Sequence, residues 1–272
     1  MVVSVIESSA MKAVAMPSGL DEISKIADYF GKGASTYLPA ALLQQQVATD
    51  LMAFLPTSSD VLLDLGCGPG WLHPQLGLKC RQLWALDVSA PMLQQAKAQA
   101  VASRYMQADA ACIPLPDHSV DTVFSSLMLQ WCPQPAAVMQ ELQRILKPGG
   151  RIVLATLAAG SLAEFSQSWA QVDAARHHID FLSVVRLQTE LSHPLLQAEF
   201  SQHGYQLHYP DVFSLSRSFQ QIGANYVAAR AKGLTGKQRW QQFANVYERL
   251  RTPAGLPLSY QVLIWQATKR LA

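Results

Sequence analysis

The amino-acid sequence predicts an α/β fold in which helices cover both faces of a doubly wound, mostly parallel sheet. Between residues 40 and 157, short apolar runs that stop at glycines alternate with stretches of helical periodicity. Such alternation is typical of consecutive β-α-β units. The chain has 272 residues and half of them are apolar, which is enough to bury the core of one large domain.

The elements of this alternation can be placed in order along the chain. Apolar residues recur at three- and four-residue steps from Leu43 to Phe54, which predicts an amphipathic helix over 40–55. The predicted strands are apolar runs too short to be helices. They occupy residues 61–66, 83–89, 105–107, 120–126 and 151–157. A helix over 135–146, closed by KPGG at 147–150, precedes the last of these strands.

After residue 158 the rhythm changes and helical patterns dominate. Leu162, Phe165 and Trp169 stand at helical spacing, and residues 161–200 are predicted to be largely helical. The remaining predictions are a strand at 205–215, helices over 216–251 and a terminal strand at 259–268.

Charge and cysteine content exclude several classes of protein. The formal net charge is +2 and no run of five like charges occurs, which disfavours nucleic-acid binding. The four cysteines contain no C-x-x-C pair, so neither a zinc clip nor a dithiol redox motif is expected. The seven histidines are scattered, and we expect no metal site.

The cysteines, the first twenty residues and the apolar runs together predict the cellular location of the protein. Four isolated cysteines are expected to be reduced thiols in a cytoplasmic protein. The first twenty residues lack a basic n-region, so we expect no signal peptide. No apolar run approaches the roughly 18 residues of a membrane span, and no membrane partner is expected.

A glycine loop directly after the first predicted strand is the strongest functional signal. Gly66, Gly68 and Gly70 form G-x-G-x-G, and residues without a β-carbon let the backbone approach a ligand closely. Ligands of open parallel sheets bind at the carboxyl ends of the strands. A tight turn that binds nothing remains the alternative at this point.

An acidic residue at the end of the second strand indicates an adenosine ligand. Asp87 lies twenty-three residues after Asp64 and can accept hydrogen bonds from both hydroxyls of a ribose. The same spacing suits NAD enzymes. A helix-capping role for Asp87 is the alternative.

Two features favour a cationic ligand over a dinucleotide. The loop lacks the third glycine of G-x-G-x-x-G, because position 71 is Trp71. Asp64 also stands at the end of the first strand, and a carboxylate there suits an amino group and a sulfonium better than a pyrophosphate.

Four ordered motifs then resemble class I S-adenosylmethionine-dependent methyltransferases over about residues 60–157. They are LLDLGCGPGW, LWALDVS, the Asp109-Ala110 pair and LKPGGRIVLATL. The resemblance implies a seven-stranded Rossmann-like sheet whose last strand, 259–268, is reversed, with S-adenosylmethionine as cosubstrate. It also implies roles for individual residues: Asp64, Gly66 and Gly68 near the methionine part, Asp87 on the ribose, Asp109 and Ala110 on the adenine, and Leu127 at the methionine end.

The flanking segments resemble a narrower group, the malonyl-acyl-carrier-protein O-methyltransferases of biotin synthesis. The likeness spans roughly residues 26–270, with departures at Gln220 and Gln261. Its segments are FGKGASTY (30–37), LMLQWC (127–132), 156–173, 216–225 and 258–269. The resemblance implies that the free carboxylate of a malonyl thioester, on acyl carrier protein or coenzyme A, accepts the methyl group.

Three residues are candidates for the substrate site. By the resemblance Tyr37 belongs to a lid over residues 28–38, which we expect to become ordered when the cofactor binds. Arg217 can grip a carboxylate with its two-pronged guanidinium, and Trp131 would form a wall of the pocket. A half-buried tyrosine, a solvated arginine and a core tryptophan are the respective alternatives.

The late basic segment is a candidate docking face for an acidic carrier protein. Residues 216–251 hold seven arginines and lysines and only one acid, Glu248. Such a local surplus of positive charge can steer an acidic partner, although scattered solubilising charge gives the same pattern.

The sequence therefore predicts four parts and leaves alternative functions open. The parts are an N-terminal extension (1–25), a lid and first helix (26–56), a cofactor-binding core (57–158) and a helical substrate and partner region with closing strands (159–272). The alternatives are a methyltransferase for a quinone ring or a free carboxylic acid, an NAD-dependent dehydrogenase, and a non-catalytic binding protein.

Overall fold

A computed structural model describes residues 18–33, 37–222 and 236–271. Its strands are β1 (Ser59–Leu65), β2 (Cys80–Asp87), β3 (Arg104–Gln107), β4 (Val120–Ser126), β5 (Leu146–Leu157), β6 (Leu196–Tyr209) and β7 (Leu256–Lys269). Its helices are α1 (Ser18–Gly33), α2 (Tyr37–Ala40), α3 (Leu42–Met52), α4 (His73–Gly77), α5 (Ala90–Ala98), α6 (Pro135–Ile145), α7 (Ala163–Ala170), α8 (Val184–Leu191), α9 (Val212–Gln221) and α10 (Lys237–Glu248).

The seven strands form one sheet in the order β3-β2-β1-β4-β5-β7-β6. The pairs β1–β2, β2–β3, β1–β4 and β4–β5 are parallel, whereas β7 is antiparallel to both β5 and β6. The seven-stranded, mostly parallel sheet with a reversed last strand is thus confirmed. Strand order reverses between β1 and β4, and ligands of such sheets bind at this point, outside the carboxyl ends of the strands.

The sheet is buried on both faces because alternate residues of each strand enter different layers of the core. Leu62 packs with α3 and α4 on one face, and Leu63 packs with α6 and α8 on the other. Such strands appear in sequence as continuous apolar runs, which explains why β1, β2 and β4 could be placed from the sequence.

Three predictions about the elements need correction. KPGG (147–150) continues β5 instead of closing a helix, because the ladder with β4 shifts register between Val120 and Thr122 and admits the irregular segment. Residues 196–200, assigned to a helical region, begin the edge strand β6. A polar edge strand owes its conformation to pairing with β7, which local periodicity does not reveal. Helix α1 begins at Ser18, inside the predicted extension, and residues 1–17 lie outside the described residues.

None of the helices within the described ranges combines the length and the hydropathy that crossing a membrane requires. The same ranges contain no group of three or more His, Cys, Asp or Glu side chains placed to hold a metal ion.

Replacing the largest fully buried side chain tests how much the packing of the reversed strand β7 stabilises the fold. Trp265 in β7 is completely buried, so Trp265→Ala leaves a large cavity and should lower the free energy of unfolding by about 3–5 kcal/mol. Val185→Ala on the exposed face of α8 is the control and should change it by less than about 0.5 kcal/mol. Urea denaturation measures both, and equal stabilities would contradict the described packing of β7.

Candidate active site

A cavity lies at the reversal of strand order and is called the first cavity here. Its floor is the glycine loop after β1 together with the ends of β2 and β4, and its roof is α1. Ile23, Ile26 and Phe30 of α1 line it. The lid predicted from the resemblance therefore includes a regular helix that covers the site. Residues 34–36 of the predicted lid lie outside the described residues.

The glycine loop folds against the end of β2. Gly66 and Cys67 both donate their N–H groups to the Leu86 carbonyl, at 2.8 and 3.0 Å. Gly66 has a φ of +75°, and a β-carbon there would lie 2.4 Å from Cγ of Met128. Only glycine both adopts this positive φ readily and has no β-carbon to clash with Met128. Gly66 and Gly68 line the first cavity.

Asp87 organises this loop through both oxygens of its carboxylate. One accepts the N–H of Gly68 at 2.9 Å, and the other accepts the N–H of Ser89 at 2.8 Å. Each oxygen keeps a lone pair for a further donor. Burial raises the pKa of Asp87 to about 6, although these N–H donors oppose the shift. The side chain lines the first cavity, so it contacts both the backbone and any ligand there.

Asp109 and Ala110 line the far end of the first cavity. Asp109 accepts the N–H of Ala111 at 2.9 Å, which fixes its carboxylate. The loop that follows is tied to α6: Glu141 accepts the N–H of Ile113 at 2.7 Å, and Arg144 donates to the Ile113 carbonyl at 2.9 Å. Sequence reasoning missed this tie because it joins residues far apart in the chain.

Leu127 borders the cavity in an unusual backbone conformation. Its φ is +54°, which costs a leucine roughly 1 kcal/mol or more. Its N–H donates to the Ala155 carbonyl at 2.8 Å, and its own carbonyl accepts the side-chain amide of Gln130 at 2.8 Å. Gln130 in turn accepts the hydroxyl of Thr156 at 3.1 Å. Gln130 was not predicted, although it lies in the LMLQWC segment.

Asp64 is the predicted cofactor-binding residue that does not line the first cavity. It is 4% exposed and shares the face of β1 that packs on α4, where its carboxylate lies 3.3 Å from Nε2 of the fully buried His73. The His73 ring also lies under Gly70, where a β-carbon would come within 2.7 Å of it. Asp64 therefore contacts a histidine that packs under the glycine loop.

A second cavity adjoins the first. Both are lined by Phe30, Tyr37, Leu127 and Trp131, and the rings of Phe30 and Trp131 meet edge to face at 5.0 Å. Tyr37 and Trp131 thus lie where the two cavities join, as expected of substrate-site residues. Burial, and then the nearby Asp87 carboxylate, raise the pKa of Tyr37, so its hydroxyl keeps its proton at neutral pH.

Arg217 is not brought together with these residues. It is exposed on α9, and its guanidinium lies over the ring of Phe213 at 4.5 Å. Ser218, Phe219 and Ile222 of the same helix line the second cavity. The helical period turns Arg217 away from that cavity, and the sequence alone did not reveal the orientation of α9.

Known proteins resemble this chain along most of its length. A methyltransferase domain model matches residues 63–154. A malonyl-[acyl-carrier protein] O-methyltransferase from Yersinia pestis is 39% identical over 88% of this chain and 88% of its own length. The chain belongs to the malonyl-[acyl-carrier protein] O-methyltransferase family. It is an S-adenosylmethionine-dependent O-methyltransferase, which excludes the NAD-dependent dehydrogenase.

Two further known proteins are similar to this chain, one in sequence and one in fold. The biotin biosynthesis bifunctional protein BioHC of Cellvibrio japonicus is 38% identical over 88% of this chain, which spans 48%, about half, of that longer protein. The solved structure of a putative methyltransferase from Bacillus halodurans has a TM-score of 0.58 at 17% identity, covering 83% of this chain and 99% of that one. It shares the fold.

The first cavity fits the methyl donor of the family. A β-carbon at Gly68 would meet no protein atom within 4 Å, so the loop borders open space there, and the half-buried Asp87 carboxylate has free lone pairs. The hydroxyl of Ser126, which also lines the cavity, is shielded from solvent and has no hydrogen-bond partner within the described residues. Buried polar groups without partners are rare, so such a hydroxyl indicates a ligand that satisfies it.

Replacing the predicted ribose acceptor should weaken cofactor binding. Asp87→Ala removes a charged acceptor, so the affinity for S-adenosylhomocysteine should fall by about 1.5–3 kcal/mol. Asp60→Ala, at the exposed start of β1, is the control and should bind normally. Calorimetry that shows unchanged affinity in a folded Asp87→Ala protein would remove Asp87 from the site.

The pKa of Asp87 also predicts a pH dependence. Ribose hydroxyls donate to an ionised carboxylate, so binding competes with the proton that Asp87 holds below pH about 6. The affinity for S-adenosylhomocysteine should be flat above that pH and fall by up to about tenfold per pH unit below it. Calorimetry from pH 5 to 8 measures this dependence. Asp87→Asn should abolish it, and a flat wild-type profile would contradict the assignment.

Proposed function

We propose that this protein transfers the methyl group of S-adenosylmethionine to the free carboxylate of a malonyl thioester carried by acyl carrier protein. The observation that carries the proposal is the junction of the two cavities at Tyr37, Leu127 and Trp131. A ligand in the first cavity and an acyl group in the second would meet there. The Yersinia pestis relative is named for this reaction.

Within the first cavity, each part of the methyl donor has a proposed partner. The Asp87 carboxylate accepts the ribose hydroxyls, while Asp109 and the Ala110 backbone contact the adenine. Gly66, Gly68 and Leu127 surround the methionine part. Asp64 acts indirectly, because its contact with His73 supports the glycine loop from below.

The chemistry needs no general base from the chain. A malonyl carboxylate is ionised at pH 7, and the bound sulfonium supplies an activated methyl group. A carboxylate oxygen forms the new bond to carbon while the carbon–sulfur bond breaks and its electron pair goes to sulfur. The residues at the junction align the reacting atoms, and the apolar walls of the second cavity exclude water that would hydrate the carboxylate.

A third cavity gives a route for a long thioester arm. It adjoins the second cavity at Gln130, Ile179 and Phe181 and extends to residues of α8. A free acid would need no such passage, whereas an acyl group on a flexible arm must reach the junction from outside. This passage favours a carrier-bound substrate over a small free acid.

The docking face proposed for an acidic carrier protein lies on α9 and α10. Lys237 and Arg249 are exposed there, Arg239 pairs with Asp173 at 3.4 Å, and Arg251 pairs with Glu248. Arg230 and Lys232 lie outside the described residues. Arg217, exposed beside Phe213 on α9, belongs to this face in the proposal.

A methyl-transfer assay with several acceptors tests the function directly. Malonyl-acyl carrier protein should be methylated efficiently, with malonyl-coenzyme A compared alongside and free malonate inactive. Transfer to free malonate or to a quinone alone would indicate a different small-molecule methyltransferase. Cofactor binding without transfer to any acceptor would indicate a non-catalytic binding protein.

Tyr37→Phe tests the junction without changing its shape. The variant keeps the ring and removes a hydroxyl that can position the substrate carboxylate, so turnover should fall about tenfold or more, the scale of one hydrogen bond to a charged group. The affinity for S-adenosylhomocysteine, measured by calorimetry, should change far less. Full activity in the variant would leave Tyr37 as a wall of the cavity only.

Arg217→Glu separates carrier docking from carboxylate binding. Charge reversal on the docking face should raise the KM for malonyl-acyl carrier protein several-fold, while the KM for malonyl-pantetheine, which lacks the protein, stays unchanged. Arg81→Glu, exposed at the start of β2, is the control. An equal rise for both substrates would instead support the carboxylate grip that the sequence predicted for Arg217.

We further propose that the enzyme works in the cytoplasm. Cys67, Cys80, Cys112 and Cys132 are all free thiols, which is the usual state of cysteines in reducing compartments.

A further inference from the structure

The second cavity must compensate the charge of any carboxylate that enters it. Removing an ionised carboxylate from water is costly unless the site offers a positive charge or donors. No lysine, arginine, aspartate or glutamate occurs among the described residues that line this cavity. Its titratable side chains are Tyr37, Tyr209, Tyr260 and His178, and of these only His178 can carry a positive charge.

Both ring nitrogens of His178 are held by fixed partners. Nδ1 lies 2.5 Å from the Ile179 carbonyl oxygen, and a carbonyl only accepts, so Nδ1 carries a proton. Nε2 lies 2.6 Å from the hydroxyl oxygen of Ser166. That hydroxyl also lies 2.9 Å from the Leu162 carbonyl, to which it can donate. The hydroxyl of Ser166 can therefore donate its proton either to Nε2 of His178 or to the Leu162 carbonyl.

The orientation of this hydroxyl sets the charge that the ring can carry. If Ser166 donates to Nε2, the ring is neutral. If Ser166 donates to the Leu162 carbonyl, Nε2 must itself donate, and the ring is an imidazolium. His178 can thus take up a second proton while keeping its contact with Ser166. In this second orientation both N–H groups of the half-buried His178 ring have an acceptor, so the added proton leaves no donor unpaired.

The other charges around His178 are already paired. Behind it, Asp173 accepts from His177 at 2.8 Å and lies 3.4 Å from Arg239. The neighbouring Asp180 pairs with Arg176 at 2.7 Å.

Among the described residues, the remaining neighbours of His178 bring no further charge to the cavity side. On α7, Glu164 accepts from the backbone and hydroxyl of Ser259. Across the cavity stand the hydroxyls of Tyr37, Tyr209 and Tyr260. The rings of Phe165 and Phe181 flank the imidazole, at 6.3 and 5.9 Å between centroids.

The geometry points to His178 as the positively charged group that faces the malonyl carboxylate in the second cavity. This inference rests on the proposed function and names the residue that selects a carboxylate-bearing acyl group. The product is a neutral ester, which no longer attracts the imidazolium, so the same charge that favours substrate binding does not retain the product.

Steady-state kinetics of His178 variants test the inference. In His178→Gln the amide still reaches Ser166 but carries no charge, so the KM for malonyl-pantetheine should rise about tenfold or more, with kcat changed by less than about threefold. Calorimetry with S-adenosylhomocysteine confirms folding and should show unchanged affinity. His177→Gln is the matched control: His177 stacks on Trp169 at 3.7 Å and does not line the second cavity, so its KM should stay normal.

The His178→Lys variant distinguishes charge from shape. It keeps a positive charge, so its KM for malonyl-pantetheine should lie well below that of His178→Gln. A KM within twofold of wild type in His178→Gln, or a KM in His178→Lys as high as in His178→Gln, would overturn the role of His178. Absence of methyl transfer by the wild type would overturn the proposed function, and this inference with it.

Discussion

The two N–H groups that the Asp87 carboxylate accepts, from Gly68 at 2.9 Å and Ser89 at 2.8 Å, are the contacts on which the active site depends. They join the glycine loop after β1 to the turn after β2, and parallel pairing of these strands brings the two ends together. A buried carboxylate is unfavourable, and its pKa of about 6 reflects this. The site therefore holds an acceptor that a polar ligand stabilises.

Catalysis at this site depends on positioning the reacting groups. The first cavity ends at Leu127, whose left-handed backbone is held by Gln130 and by the Ala155 carbonyl. The second cavity begins at the same residue, with Tyr37 beside it. An acceptor that is already ionised and a methyl group that is already activated need alignment and exclusion of water, and these are what two adjoining, largely apolar cavities provide.

The sequence predicted the parts of the site that follow from local pattern. Strand ends, the glycine loop and Asp87 depend on short-range periodicity, and their positions were confirmed in the sheet. The contact of Asp64 with His73 depends on which helix packs on β1, and the exposure of Arg217 depends on the orientation of α9. His178 could not be singled out, because the cavity that it lines is assembled from distant segments.

A crystal structure of the enzyme with S-adenosylhomocysteine would show whether Asp87 holds the cofactor with its sulfur facing the second cavity. We expect both ribose hydroxyls within about 2.7 Å of the Asp87 oxygens and the adenine beside Asp109 and Ala110. We expect the sulfur at Leu127, facing the second cavity. A sulfur atom directed away from the second cavity, or a ribose that does not contact Asp87, would contradict it.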